Sequence, residues 1–195
     1  MSPESRVPRP ESESPPPPGG EQGGGDGTVD PGRGTRDCVM NETAEEYFRR
    51  AYEAQMAGEL DRAVALYKKS IELGATAEAH TFLGWTYSFQ RKYREAIAEC
   101  HRAIGVDPEF GNPYNDIGAY LIELGRWEEA IPWFEKAIEA PRYDPRHFPH
   151  FNLARVYIQR YEYTPAIEHL RKALELEPRY GSAQRELQRI LTRMN

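Results

Sequence analysis

The chain has 195 residues, with 25 Lys and Arg against 31 Asp and Glu and a formal net charge of −6. This mild acidity argues against a broad nucleic-acid footprint, which needs a basic face. No apolar run approaches the ~18 residues of a membrane helix, and two isolated cysteines, Cys38 and Cys100, build no disulfide framework.

Residues 1–40 differ in kind from the rest. Up to Val39 they hold 8 of the 16 prolines and 8 of the 16 glycines, including Pro15–Pro18 and Gly23–Gly25, and few aliphatic residues. Such a segment cannot bury enough apolar surface to offset chain entropy, so a disordered tail is expected, dispensable for folding. Its Pro run could serve as a polyproline ligand, though a solvated tail is the plainer reading. Met40, at the edge of the first helix, offers an alternative start. The tail lacks the apolar core of a signal peptide, so the expected location is cytoplasmic.

From Asn41 onward a helix-turn-helix unit recurs. The first unit opens at Thr43, which with Glu46 can form a capping box. Its charged residues, among them Glu45, Arg49 and Glu53, suit a terminal repeat with one open side. Gly58 turns the chain into a second helix, Leu60–Leu73. The second unit, from Ala77, is rich in aromatic residues: Phe82, Trp85, Tyr87 and Phe89. The third is the most regular. Tyr114, Ile117, Gly118 and Leu121 form one stripe, Gly125 ends that helix, and Ala130, Ile131, Phe134, Ala137 and Ile138 form the next. Pro132 is expected near the end of the first turn of its helix, where a missing amide costs little. The stretch Pro141–Pro149 then replaces the usual tight turn and delays the next helix to about His150. After the fourth unit, Ser182–Met194 reads as one extra helix. Its stripe is Leu187, Ile190, Leu191 and Met194, with a polar outer face.

The register is strict. The small residue opening each second helix is Ala63, Ala96, Ala130 and Ala166, at spacings of 33, 34 and 36. Four residues later stand Tyr67, Cys100, Phe134 and Leu170. The small residues of the first helices are Ala51, Gly84, Gly118 and Ala154. Leu83, Gly84, Tyr87, Ala96, Ala103 and Pro108 match the pattern W-x2-L-G-x2-Y, A-x3-F, A, P, so the chain resembles the tetratricopeptide repeat family. Ile117, Gly118, Leu121, Ala130, Phe134 and Ala137 carry the same resemblance, as do Leu153, Ala154, Tyr157, Ala166, Ala173 and Pro178. The first unit fits worst, with Arg50 and Ala54 at two pattern positions.

The resemblance implies an all-α, right-handed solenoid of four helix pairs over residues 41–195. The repeats are expected at about 43–76, 77–110, 111–144 and 147–180, with a capping helix at 182–194. It also implies a concave groove lined by the first helices. Mapped onto this sequence, the groove offers Phe48, Tyr52, Gln55 and Met56, then Thr81, Trp85, Ser88 and Phe89. Asn115, Asp116, Ala119 and Ile122 follow, then Phe148, Phe151, Asn152, Arg155 and Ile158. Trp85 directly follows the stripe residue Gly84, so it and Tyr52 are expected to face the groove. The Lys-Asn pair with which co-chaperone members of the family grip a carboxylate is absent, Phe48 and Tyr52 standing in its place. The insertion around Tyr143 resembles one in members that assemble type IV pili.

No catalytic constellation is apparent. His147 and His150 straddle Pro149, and no carboxylate or Cys completes a metal set. His80 and His150 share one repeat position and are expected to be structural. No phosphate-cradling loop is present. The expected function is therefore a non-catalytic scaffold holding a protein or peptide, without cofactor, metal or nucleic acid. Pilus assembly factor and regulatory subunit of an enzyme complex are the alternatives. Partner and oligomeric state stay open.

Overall fold

A computed structural model describes residues 42–194. The expected tail, residues 1–40, lies outside this range. Among the described residues there are nine helices and no strand: α1 Ala44–Met56, α2 Leu60–Leu73, α3 Ala77–Phe89, α4 Tyr93–Val106, α5 Asn112–Glu123, α6 Trp127–Glu139, α7 His147–Gln159, α8 Tyr163–Leu176 and α9 Gly181–Met194. Helices pair as α1/α2, α3/α4, α5/α6 and α7/α8. Each pair stacks on the next, and α9 packs on α8. This is the all-α solenoid of four helix pairs plus a cap that the repeat pattern implied.

The recurring small and bulky residues form the core. Ala63, Ala96, Ala130 and Ala166 are wholly buried, as are Tyr67, Cys100, Phe134 and Leu170. A methyl group on Gly118 would stand 2.5 Å from the Phe134 ring, so α5 and α6 close only on glycine. At Gly84 the same methyl would meet the Ala96 carbonyl at 3.2 Å and the small Cys100 thiol at 3.5 Å.

All four turns within the pairs share one geometry. Gly58, Arg91, Gly125 and Tyr161 have φ of 79°, 61°, 76° and 61°. The next amide donates back five residues in each case: Glu59 to Ala54, Lys92 to Tyr87, Arg126 to Leu121 and Glu162 to Tyr157, at 2.8–2.9 Å. These bonds satisfy helix-end carbonyls that would otherwise be orphaned. Arg91 and Tyr161 occupy a conformation that favours glycine.

Four details differ from expectation. Pro132 is the sixth residue of α6, not at its first turn, so the Glu128 carbonyl loses its intrahelical donor. α7 begins at His147 rather than His150. Pro149 is then its third residue, where an amide has no intrahelical partner to lose. The segment between α6 and α7 is a folded insertion: Tyr143 is 5% exposed and packs with Ala137 and Ala140. The Gly111 amide donates to the Arg142 carbonyl at 2.8 Å, and a Cβ on Gly111 would stand 2.3 Å from that of Tyr143. The Arg142 side chain reaches Glu78 and Asp107, while Arg146 donates to the carbonyls of Ile138, Ala140 and Pro141, closing the end of α6. In α9, Ala183 and Ile190 are buried, whereas Met194 is exposed in the last turn.

Candidate partner-binding face

Helices α1, α3, α5 and α7 adjoin one another in order. Residues one repeat apart therefore form rows along a common face. One row is Tyr52, Trp85, Ala119 and Arg155. Another, at the helix ends, is Met56, Phe89, Glu123 and Gln159. Met56 is 62% and Phe89 50% exposed. Tyr52 is half-buried, its ring 5.8 Å from that of Phe82.

Several expected groove residues lie deeper than the repeat mapping suggested. Phe48, Trp85, Ile122 and Asn152 are buried, as are Gln55, Thr81 and Asp116. The expectation that Trp85 faces an open groove is overturned: it is 7% exposed. The reason is that α3 buries nine of its thirteen residues, being covered by α4 and by the helix pairs on both sides. Offset from the Gly84 stripe therefore does not carry Trp85 to solvent. Its ring lies 4.8 Å from Phe82, and its indole Nε1–H donates to the Asp116 carboxylate. Phe48 packs edge-on against Tyr67 and Phe82. Gln55 accepts from Tyr67 and Thr86 at 3.0 Å, joining the first two pairs.

The polar residues form a chain across α3, α5 and α7. Beyond Trp85 and Asp116, Asn152 Nδ2 donates to Asn115 Oδ1 at 3.1 Å, and Arg155 Nη1 donates to Asn152 Oδ1 at 3.3 Å. Burial pushes the Asp116 carboxyl up to about 7, opposed by hydrogen bonds from Trp85 and Asn115. Burial likewise lowers the Arg155 guanidinium, which nonetheless stays charged. Phe151 is half-buried, its ring 5.0 Å from Tyr180. The face is thus apolar and open toward α1 and α3, and polar toward α5 and α7.

The histidines are better organised than the sequence suggested. His80 Nδ1 lies 2.8 Å from a buried Glu99 oxygen, and Arg102 donates to the other oxygen. His150 faces His169, with Nδ1 atoms 3.1 Å apart. Both pairs span 19 residues, a shared spacing that would have revealed the second once the first was noticed. No group of three or more His, Cys, Asp and Glu that could hold a metal ion occurs among the described residues. Nor, among them, is any helix long and apolar enough to cross a membrane.

Sequence profiles of the tetratricopeptide repeat match residues 77–110 and 109–178, together more than half of the chain. The chain belongs to the tetratricopeptide repeat family. Heat shock protein STI1 of Saccharomyces cerevisiae is 28% identical over 102 residues, covering 51% of this chain and 17% of that protein. Type IV pilus assembly protein PilF of Pseudomonas aeruginosa is 24% identical over 156 residues, covering 80% of this chain and 62% of that one. The chain thus spans less than two thirds of these relatives. The solved PilF structure superposes with a TM-score of 0.72 at 24% identity, over 77% of this chain and 68% of the other. PilW, a type IV pilus biogenesis factor, gives 0.69 at 19% identity, over 75% and 68%. Likeness at this level of identity establishes a common fold.

Proposed function

We propose that the protein is a non-catalytic scaffold that holds an amphipathic peptide or partner helix on the face formed by α1, α3, α5 and α7. The observation that carries this reading is the exposure of Met56 and Phe89, in one row on adjoining helices beside Tyr52. Large apolar side chains left open next to one another suit a partner surface. Phe151 extends the aromatic area, while Asn115, Asn152 and Arg155 offer polar groups to a peptide backbone or an acidic group. Trp85 and Phe48, together with Ile122, act from beneath, shaping the floor. A double substitution, Met56→Glu with Phe89→Glu, tests the reading. Both sites are exposed, so melting should change little, while the set of partners captured from host lysate should be lost. Retention of every captured partner by the folded double variant would refute it.

A second reading has its own support. The likeness to PilF over 80% of the chain, and the insertion around Tyr143, favour an assembly factor of the type IV pilus kind. The two readings differ in address: the scaffold is assigned to the cytoplasm, whereas a pilus factor should fractionate with the cell envelope.

A further inference from the structure

We propose that His150 and His169 form a two-ligand site for a borderline divalent metal ion such as Zn²⁺. The two rings stand on facing helices of the fourth pair, with Nδ1 atoms 3.1 Å and centroids 5.4 Å apart. Two Zn–N bonds of about 2.05 Å at a tetrahedral angle need nitrogens about 3.3 Å apart and ring centroids about 5.2 Å apart. Both observed separations lie within a few tenths of an ångström of these. The ion therefore asks for rotation of the two rings, not movement of α7 against α8. Imidazole suits Zn²⁺, Cu²⁺ and Ni²⁺.

The side chains are only half-buried, so water can complete the coordination. The charged groups around the pair are Glu135 of α6 and Glu168, Lys172 and Glu175 of α8. Lys172 bonds Glu175 at 3.0 Å. In the equivalent pair of the second unit the corresponding base, Arg102, instead occupies the partner carboxylate Glu99 and closes that position.

Zinc chloride titrated into the full chain carrying Cys38→Ser, which removes a competing thiol, tests this. Calorimetry should report one ion per chain. His150→Gln and His169→Gln should each weaken binding at least tenfold, while His101→Gln, at an exposed position on α4 against Trp133, should leave it unchanged. Should either variant fail to fold, the parent chain decides: substoichiometric Cu²⁺ should broaden the ring resonances of His150 and His169 before those of His80, His101 and His147. Absence of one-to-one binding, survival of binding in both variants, or broadening that starts elsewhere would reduce the pair to a hydrogen bond between neutral imidazoles.

Discussion

The second and fourth helix pairs place a histidine at the same repeat position and give it different company. His80 meets Glu99, itself held by Arg102, and all but the guanidinium is buried. His150 meets His169, with both rings half open to solvent. The surrounding packing is nearly the same: Ala96 and Ala166 are wholly buried, and Arg91 and Tyr161 take the same backbone angle. The backbone contacts that define a repeat are thus kept, while the polar pair spanning its two helices is free to change task. In the second unit the pair joins helices. In the fourth it leaves ligand atoms within reach of solvent.

Removing the partner in each unit should expose this difference, with the largest effect in the second. Glu99→Ala leaves His80 buried without its acceptor and releases the exposed Arg102 to solvent. Loss of one member of a buried pair typically costs about 3–5 kcal/mol. His169→Gln removes a half-exposed hydrogen bond, and about 1 kcal/mol is expected. Urea denaturation of the two variants measures both costs. Equal losses would mean that the two pairs do the same structural job. Glu99→Gln, which keeps an acceptor for His80, should recover part of the loss.

Much of this fold is legible in the sequence because each solenoid unit repeats its own evidence. The register of Ala63, Ala96, Ala130 and Ala166 located every second helix, and Gly125 located a turn. The requirement for glycine at Gly118 follows from the bulk of Phe134 in the facing row. The face was harder to read. A one-stripe picture treats a helix as half wet, whereas α3 is enclosed on most sides, so Trp85 reads as open and is covered. Only contact between units shows this, and periodicity within one helix carries no information about it. The bond from Trp85 to Asp116 and the link from Asn115 to Asn152 join residues more than thirty positions apart. The turns at Arg91 and Tyr161 escaped for a local reason: neither residue type announces a left-handed conformation.

The second unit's bond to the third predicts a pH effect of intermediate size. Asp116 has a folded-state pKa of about 7, raised by burial from 3.8. The folded chain therefore binds a proton more tightly than the unfolded one. Its contribution is fully present below pH 4 and is lost as pH rises toward 7, at up to about 1.4 kcal/mol per pH unit in that window. Other groups shape the full stability curve, so the useful measure is a difference. Asp116→Asn should gain stability relative to the parent as pH goes from 4 to 7. A constant offset between the two chains across that range would show that Asp116 stays charged when buried. The carboxylates that act on Arg155, the fourth unit's residue in the row of Trp85, are Glu123 and Glu186, neither of them buried. Titration of this face is thus expected to arise where α3 meets α5.

The smallest expected effect asks whether the two units are alike where they appear so. Arg91 and Tyr161 both have φ of 61°, which L residues rarely adopt, at positions where Gly58 and Gly125 serve the other units. Both are exposed, Tyr161 at 79%, so truncation forfeits little packing. Glycine relieves the strain of the left-handed conformation but makes the unfolded chain more flexible, which offsets part of the gain. Each substitution, Arg91→Gly and Tyr161→Gly, should therefore stabilise by about 0.5–1 kcal/mol. The Arg91 variant should gain slightly less, because it also gives up the hydrogen bond between Arg91 and Tyr93. Chemical denaturation resolves effects of this size when both variants are measured beside the parent. A gain at Arg91 and a loss at Tyr161 would mean that the exposed tyrosine makes a stabilising contact, and the fourth turn would then have to be set apart from the second.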